Sequence, residues 1–340
     1  MYKISSDKLW IKGSLHCHST ASDGRLAPED VIEYYAHRGY HLVSITDHEK
    51  ITNANSRSII TLSGVELSRG KSRLGEPYHV VALGVDDPHI LKLREVQDVI
   101  DAVNSMGGLA LIAHPYWSSL THGDLMNIEG YIAIEIYNTG CDVEVGKGYS
   151  TVHWDGLLSR GLMIWGVAVD DAHRYFMYPI DADGGWIWID VPEEDEEAVM
   201  KSLKEGRFYS STGPMIQELE LTDELLHIEA TPAARVNIIS HNGRGICIHE
   251  SFIPRILEMW SNPEGRRELK DLFDNLEVTE EKGLKRVFVS RGAIKLEISY
   301  GRRGLEAIHI EGRLGRGYVR VEVIDREGKV AWTNPIRLNH

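Results

Sequence analysis

The sequence predicts an α/β domain, built as a parallel sheet or barrel with outer helices, followed by an antiparallel β-sandwich. In the first part of the chain, short apolar runs alternate with segments that carry helix start and stop signals, and this alternation is typical of such a sheet or barrel. From Ile216 onward, short strand-like runs follow one another between turn signals, which is typical of a sandwich. The boundary lies near residue 214, so the predicted domains cover residues 1–214 and 215–340.

Seven apolar runs predict the strands of the first domain. The helix predicted at residues 28–39 begins with Pro28 and two acidic residues and ends at Gly39. Two further helices are predicted, at residues 91–106 and 193–205. The predicted strands lie at residues 9–16, 41–46, 59–65, 78–83, 109–113, 131–136 and 163–169.

The second domain is predicted to contain strands and one helical insertion. Residues 253–275 have a helical pattern and interrupt an otherwise regular strand spacing, so they are predicted to be inserted between strands. The strands are predicted at residues 216–222, 225–231, 235–243, 285–290, 293–300, 306–312, 317–325 and 329–334.

Composition limits the classes of function. The chain has 340 residues, 42% of them hydrophobic, and a formal net charge of −14. Such an acidic protein lacks a broad positive surface for long nucleic acids, although bound cations would still allow a small anionic substrate. Cys17, Cys141 and Cys247 are too scattered for a disulfide framework, which fits a reducing compartment. Since no membrane-length apolar run or signal-peptide core is evident, we expect a cytoplasmic protein without a membrane partner. Whether it is a homo-oligomer stays open.

Two histidines at the end of the first predicted strand are the clearest sign of a functional site. His16 and His18 are separated by one residue, so on a strand both side chains project from the same face. Asp23 follows five residues after the second histidine. Two imidazoles and a carboxylate can share one cation.

Metal-capable side chains also lie at the ends of other predicted strands and, for His79, at the start of one. The carboxyl ends of parallel strands meet at one face of a barrel, so these side chains are expected to converge there. A lone histidine or aspartate after a strand is more often a capping residue, and Asp47 is a good candidate for such a cap. Glu66 ends an apolar run, where an unpaired carboxylate is costly, and this favours a charge partner or a metal. The residues are Asp47, His48, Glu66, His79, His114, Asp170, Asp171 and His173.

The motifs HCHSTASDG, ITDH, GVE, the histidine of YHVVALG, AHP and DDAH follow one another in this order. Together they resemble the polymerase and histidinol phosphatase (PHP) domain, a superfamily of metal-dependent phosphoesterases. The resemblance covers about residues 8–213 and implies a distorted seven-stranded (β/α) TIM-like barrel. The later segments GRFYSSTGP and AWTNPI resemble the CehA/McbA branch of that superfamily, in which a β-sandwich follows the barrel.

The resemblance also implies a set of metal ligands. Such sites hold two or three divalent ions, and a glutamate at the position of Glu66 bridges two of them. Asp23 stands where some relatives have histidine, which affects the choice of metal or the hold on the third ion. Asp170 is expected to orient a ligand without binding metal. The implied ligands are His16, His18, Asp23, His48, Glu66, His79, His114, Asp171 and His173.

These ligands predict hydrolytic chemistry. Imidazoles and carboxylates without thiolates suit Zn²⁺, Mn²⁺ or Fe²⁺ and do not select among them. A hydroxide held between two ions is the expected nucleophile towards a phosphate ester. Asp47 or His173 is expected to supply a proton to the leaving oxygen, although His173 is also an implied ligand.

Other polar residues are candidates for contacts with the substrate or for support of the ligands. Three basic residues, Arg174, Arg38 and Lys50, are expected either to pair with substrate phosphate or to be solvated surface charges. Glu135 and Asn138 end the sixth predicted strand and are expected to line the pocket or orient ligands. Trp154 and Asp155 are expected to anchor a helix.

The expected function is hydrolysis of a small phosphorylated compound, for which a nucleotide is one candidate. The first alternative is hydrolysis of a carbamate or carboxylic ester, because the CehA/McbA resemblance includes such enzymes and the same chemistry attacks a carbonyl. The second alternative is a non-catalytic scaffold with a vestigial metal site.

Overall fold

A computed structural model describes residues 2–281 and 283–338 of the chain. Its strands, in chain order, are β1 (Tyr2–Ile4), β2 (Leu9–Ser14), β3 (Leu42–Ile45), β4 (Ile60–Arg69), β5 (Tyr78–Leu83), β6 (Leu109–Ile112), β7 (Ala133–Asn138), β8 (Trp165–Val169), β9 (Trp186–Val191), β10 (Phe208–Ser211), β11 (Ile216–Leu221), β12 (Leu225–Ala233), β13 (Arg235–Ser240), β14 (Gly245–His249), β15 (Asn275–Glu281), β16 (Leu284–Arg291), β17 (Ile294–Gly301), β18 (Gly304–Glu311), β19 (Tyr318–Ile324), β20 (Val330–Thr333) and β21 (Ile336–Arg337).

The α-helices are short, and none in the described part of the chain is long and apolar enough to cross a membrane. A 3₁₀ helix at Pro88–Lys92 precedes the second of them. They are α1 (Pro28–Ala36), α2 (Val96–Ser105), α3 (His122–Met126), α4 (Thr139–Val145), α5 (Thr151–Leu158), α6 (Glu196–Glu205), α7 (Phe252–Ser261) and α8 (Pro263–Leu269).

The described chain forms two compact units. One consists of residues 9–212, and the other combines residues 2–8 with the residues from Gly213 onward. The amino-terminal strand β1 pairs with β11, so that Tyr2 lies opposite Leu221. The structure therefore differs from the predicted first domain at its start, because a three-residue strand gives too weak a pattern to show which sheet it joins.

In the unit of residues 9–212 the strands follow the sheet order β10-β9-β2-β3-β4-β5-β6-β7-β8. Ser210 of β10 donates from its hydroxyl to the Gly166 carbonyl of β8 and accepts from the Ala168 amide, so the two edge strands lie beside each other. Each of the seven predicted strands overlaps one of β2–β8. The sequence analysis missed β9, β10 and the short helices α3, α4 and α5.

The sheet of this unit is mixed rather than parallel. Four pairs, β2/β3, β3/β4, β6/β7 and β7/β8, are parallel, whereas β5 runs antiparallel to both β4 and β6. The expectation of a parallel sheet is therefore wrong at β5. The physical reason is that no helix crosses between β4 and β5, so the chain returns directly and reverses its direction.

Apolar side chains of the sheet and its helices form the core of this unit. One cluster joins β2, β5, β6 and β8 to Val199 and Leu203 of α6, all buried. A second cluster joins Val31 and Tyr35 of α1 to Val43 of β3. This packing fixes the strand ends from which the polar residues project.

The other unit contains antiparallel strands, as the sequence predicts. One sheet has the order β1-β11-β12-β18-β17-β16-β15. In a second group of strands β13 pairs with β14 and β19, and β19 also pairs with β20 and β21. The helices α7 and α8 lie between β14 and β15 in the chain and overlap the predicted helical segment, although α7 begins one residue before it.

Candidate metal centre

The predicted ligands lie at one end of the sheet. His16, His114 and Asp171 each lie two residues after the end of a strand, namely β2, β6 and β8. His79 lies near the start of β5 and not at its end. Because β5 is antiparallel to β4, that start lies opposite the end of β4, with His79 paired to Ser68. The reversal of β5 therefore brings His79 to the same edge as the others.

The structure brings all nine predicted ligands together in three overlapping groups. Within each group, the candidate ligand atoms lie within 4.8 Å of one another. His18 belongs to two groups, and so does Glu66, the predicted bridging residue. The groups are His18, Asp23, His48 and His173; then His16, His18, Glu66 and Asp171; and then Glu66, His79 and His114.

Glu66 lies at the centre of this arrangement. Its Oε2 is 3.2 Å from His16 Nε2 and 3.1 Å from His48 Nδ1. Its Oε1 is 2.8 Å from His79 Nδ1 and 3.3 Å from His114 Nε2. Burial opposes the charge of the carboxylate, but the surrounding imidazoles, with His16 first, outweigh it and hold the pKa of Glu66 well below its usual range. Both oxygens are therefore ionised acceptors, as a bridging ligand requires.

The tautomer of His16 leaves a lone pair facing the cluster. Its Nδ1 is 2.6 Å from Glu135 Oε1. Since a carboxylate only accepts, Nδ1 carries the proton and Nε2 is unprotonated in the neutral ring. That Nε2 lies 3.1 Å from His18 Nε2. Two nitrogens binding one tetrahedral ion at about 2.1 Å each are separated by roughly this distance, so the pair fits a metal.

The buried ring of His18 has an unsatisfied atom. Its Nδ1 has no hydrogen-bond partner among the described residues, and it lies 4.0 Å from Asp23 Oδ1. A buried polar atom without a partner is costly, and a cation held by the group of Asp23, His48 and His173 supplies one. The donor set and this orphaned nitrogen therefore both fit bound divalent ions.

Asp171 and His114 are held in unusual backbone conformations. Their φ angles are 56° and 27°, in the left-handed region that residues other than glycine rarely adopt. Asp171 Oδ1 lies 3.0 Å from His18 Nε2, and Asn138 donates to Asp171 Oδ2. Such strain is typical of functional sites, where the surrounding structure holds a side chain in place.

His173 was predicted both as a ligand and as a proton donor, and the geometry favours the ligand. Its Nδ1 donates to the Asp171 carbonyl at 2.8 Å, so the other nitrogen is unprotonated in the neutral ring. That Nε2 lies 3.5 Å from Asp23 Oδ1. The ring also stacks on His18, with 4.1 Å between ring centres.

The structure places Asp47, a predicted proton donor, outside the lining of the cavity over the cluster. Its side chain is fully buried. It accepts from the amide and hydroxyl of Ser19 and from the hydroxyls of Ser22 and Thr52. Although burial opposes ionisation, these donors hold the pKa of Asp47 below its ordinary value. Asp47 is a cap that fixes the loop after His18.

We expect Asp47→Ala to destabilise the fold by about 3 kcal/mol, because it leaves buried donors such as the Ser19 amide unsatisfied. Urea unfolding measures this loss. The folded fraction of Asp47→Asn should have a turnover within a few-fold of that of the unsubstituted protein. A hundredfold loss of turnover in folded Asp47→Asn would restore the proton-donor role. Lys50→Ala, an exposed neighbour, is the control and should change neither property.

Two of the three predicted phosphate contacts are not at the site. Arg38 lies over the ring of Tyr34, 3.6 Å from its centre, and donates to the Tyr34 carbonyl. Lys50 is exposed to solvent, and neither residue lines the cavity. Both are surface charges, the alternative stated from the sequence. Arg174 does line the cavity, where it forms an ion pair with Glu144.

Asp170 does not contact a predicted ligand through its side chain. Burial raises its pKa to about 6 despite the groups that donate to it. Through these hydrogen bonds Asp170 connects the end of strand β8 to neighbouring segments and stabilises the backbone beside Asp171. The donors are the Tyr35 and Thr139 hydroxyls and the amides of Asp183, Gly184 and Gly185.

Glu135 contacts two predicted ligands, which fits its predicted role in orienting ligands. Besides His16 Nδ1, it accepts from the His114 amide at 2.8 Å and from the Asn138 side chain at 2.9 Å. Trp154 is buried on α5 and donates to the Ile164 carbonyl, in agreement with its predicted anchoring role.

We expect Glu135→Gln to weaken metal affinity about 10–100-fold, because His16 loses the carboxylate that fixes its tautomer. Competition with a chromogenic chelator measures this. The matched control is Asp124→Asn. Asp124 is also a buried carboxylate, but it accepts hydrogen bonds from the Thr121 and Arg73 amides and belongs to none of the three ligand groups. Equal affinities of Glu135→Gln and the control would show that Glu135 does not position a ligand.

A cavity of about 380 Å³ opens over the cluster. Besides seven of the predicted ligands, it is lined by residues that were not predicted to belong to the site. Arg25 directly follows the motif HCHSTASDG, and Trp117 lies two residues after AHP, so both lie next to motifs from which ligands were predicted. The further lining residues are Gly140, Cys141, Glu144 and Asp181.

Comparisons with known proteins give partial matches in sequence and a match in fold. No protein-family model matches the chain. A 5'-3' exoribonuclease of Haemophilus influenzae is 33% identical over 85 residues, which are 23% of this chain and 30% of the relative. A 3',5'-nucleoside bisphosphate phosphatase of Chromobacterium violaceum is 40% identical over 79 residues, 21% of this chain and 27% of the relative. The chain thus spans less than a third of each relative's length.

A solved structure is similar over nearly the whole chain. It is a two-domain protein containing predicted PHP-like metal-dependent phosphoesterase from Bacteroides vulgatus, with a TM-score of 0.50 and 15% identity. The match covers 98% of this chain and 97% of the other. This likeness shows the fold. The CehA/McbA branch stays a prediction.

Proposed function

We propose that this chain, whose fold is that of a PHP-like metal-dependent phosphoesterase, hydrolyses a small phosphorylated compound at the cluster of nine ligands. The observation that carries the proposal is the overlap of three metal-capable groups around Glu66 beneath one open cavity. The seven-stranded barrel of the PHP type and the residue 214 boundary are part of this proposal.

The donor set indicates two or three Zn²⁺, Mn²⁺ or Fe²⁺ ions. Imidazoles and carboxylates suit these metals, and no cysteine belongs to the three groups. Bound there, divalent ions supply an acidified water and neutralise the charge of a phosphate. Glu66, His18 and Asp171 would hold them, with His16 kept in its tautomer by Glu135.

Arg25 and Arg174 are the basic residues at the cavity, and we assign them to the substrate phosphate. Hydrolysis adds the oxygen of water to phosphorus, breaks the ester P–O bond, and returns a proton to the leaving oxygen. Since Asp47 is committed to the loop after His18, the proton comes from solvent in the open cavity. The relatives are a 5'-3' exoribonuclease and a 3',5'-nucleoside bisphosphate phosphatase, which makes a nucleotide the first substrate class to test.

The competing functions are hydrolysis of a carbamate or carboxylic ester and a non-catalytic scaffold role. Purified, metal-loaded protein should be assayed on p-nitrophenyl phosphate, bis-p-nitrophenyl phosphate and a naphthyl carbamate. We expect turnover of at least one phosphate ester. Turnover of the carbamate alone would establish the first alternative. If the protein and the His16→Ala, His18→Ala double variant both fail to turn over any of the three substrates, the scaffold role is favoured.

A further inference from the structure

Trp117 forms an exposed apolar wall beside the metal cluster. It lines the cavity, and 41% of its surface is exposed to solvent. Its ring meets His114 at 5.0 Å and His79 at 6.0 Å between ring centres, both in edge-to-face geometry. Because this exposed indole lines the cavity, its face is available to pack against a ring of a bound molecule.

The loop that carries Trp117 is tightly braced. The Ser118 amide donates to the His114 carbonyl at 3.1 Å, and the Ser118 hydroxyl lies 3.0 Å from His114 Nδ1. The Leu120 amide donates to the Pro115 carbonyl at 2.9 Å. The indole is thus held on a short turn that begins at a predicted ligand. A rigid aromatic group binds another ring at little entropic cost.

The opposite side of the cavity is charged. The Arg25 amide donates to the His173 carbonyl, and Arg174 follows His173 directly, so both arginines adjoin the group of His18, Asp23, His48 and His173. Trp117 adjoins the other outer group, which contains His79 and His114. The cavity therefore presents an apolar ring at one end and the cluster in the middle. At the other end lie two arginines, of which Arg174 is paired with Glu144.

We propose that Trp117 is a specificity-determining residue that stacks on a planar aromatic group of the substrate, so that the preferred substrates are phosphate esters whose leaving group carries a base or aryl ring. This proposal rests on the proposed function. Stacking of one base on an aromatic side chain contributes about 1–3 kcal/mol, which corresponds to roughly a 5- to 150-fold preference. The competing explanation is that Trp117 only shields His79 and His114 from water.

Adenosine 5'-monophosphate and ribose 5-phosphate test the proposal, because they share the leaving oxygen and differ in the base. We expect the metal-loaded protein to prefer the nucleotide in kcat/KM, and Trp117→Leu to reduce that preference at least fivefold. Trp117→Phe should keep most of it, and Tyr116→Leu, an exposed neighbour outside the cavity lining, should keep all of it. Equal losses on both substrates in Trp117→Leu would establish shielding and overturn the proposal.

Binding supplies a readout that does not depend on turnover. Adenosine should quench the tryptophan fluorescence of the metal-loaded protein and of Tyr116→Leu, and should quench that of Trp117→Phe much less. If no phosphate ester is hydrolysed but adenosine still quenches the fluorescence through Trp117, the proposed function is rejected and the stacking proposal is not. If phosphate esters are hydrolysed without a preference for the base, and adenosine causes no quenching that depends on Trp117, the stacking proposal is rejected and the proposed function is not.

Discussion

Glu66→Gln is expected to lower the turnover of phosphate esters by about a thousandfold or more. The substitution keeps the shape of the side chain, but it replaces the ionised carboxylate that faces His16, His48, His79 and His114 with a neutral amide. An amide nitrogen cannot accept, so one of the two groups that share Glu66 loses a ligand. Losses of two to three orders of magnitude follow removal of a single charge-stabilising group, and loss of a bridging ligand affects two ions.

Steady-state kinetics with p-nitrophenyl phosphate measure this effect, and metal analysis should show at least one equivalent fewer bound. The Asp124→Asn variant again serves as the buried-carboxylate control and should keep both turnover and metal. A folded Glu66→Gln protein with full metal content and turnover within tenfold of the parent would show that Glu66 does not bridge.

The stability of the metal-free protein is expected to fall as pH rises from about 6.5 to 9.5. Burial opposes protonation of His16, His18 and His114, but the carboxylates around them outweigh it and raise their pKa, to about 9 for His18. A group whose pKa is higher in the folded state stabilises the fold below its unfolded value, here 6.5, and this contribution is lost as pH rises through the folded value.

For His18 the difference between about 9 and 6.5 corresponds to roughly 3 kcal/mol, or a fall in Tm of roughly 5–10 °C. Divalent ions replace the protons between the carboxylates, so the metal-loaded protein should keep its Tm over this range. Calorimetry with a chelator and with added Mn²⁺ separates the two cases. Identical pH profiles, or a decline of undiminished size in the His16→Ala, His18→Ala variant, which keeps only His114 of the three, would contradict this electrostatic account.

The location of the cluster could be predicted because its residues follow strand ends. His16 and His18 share a face through the two-residue period of a strand, and the same end of the sheet collects His114 and Asp171. The position of His79 at the start of its strand was the exception, and it fits only because β5 runs antiparallel to β4. Sequence periodicity defines a strand but not its direction, so that feature required the structure.

The supporting residues were harder to predict than the ligands. Asp47 and His48 are neighbours in one motif, but Asp47 points to hydroxyl groups of the loop after His18 whereas His48 faces Glu66. Arg38 and Arg25 are both arginines near a motif, and only the fold shows which of them reaches the cavity. Such distinctions depend on side-chain packing between segments far apart in sequence, for which a single sequence carries no readable code.

The metal content of the protein tests the central claim most directly. Inductively coupled plasma mass spectrometry of protein loaded with Mn²⁺ or Zn²⁺ and freed of excess metal should find two to three equivalents per chain. The His16→Ala, His18→Ala variant should retain at most one. Less than half an equivalent in the parent protein, or an unchanged count in the double variant, would contradict a metal centre built by these nine residues.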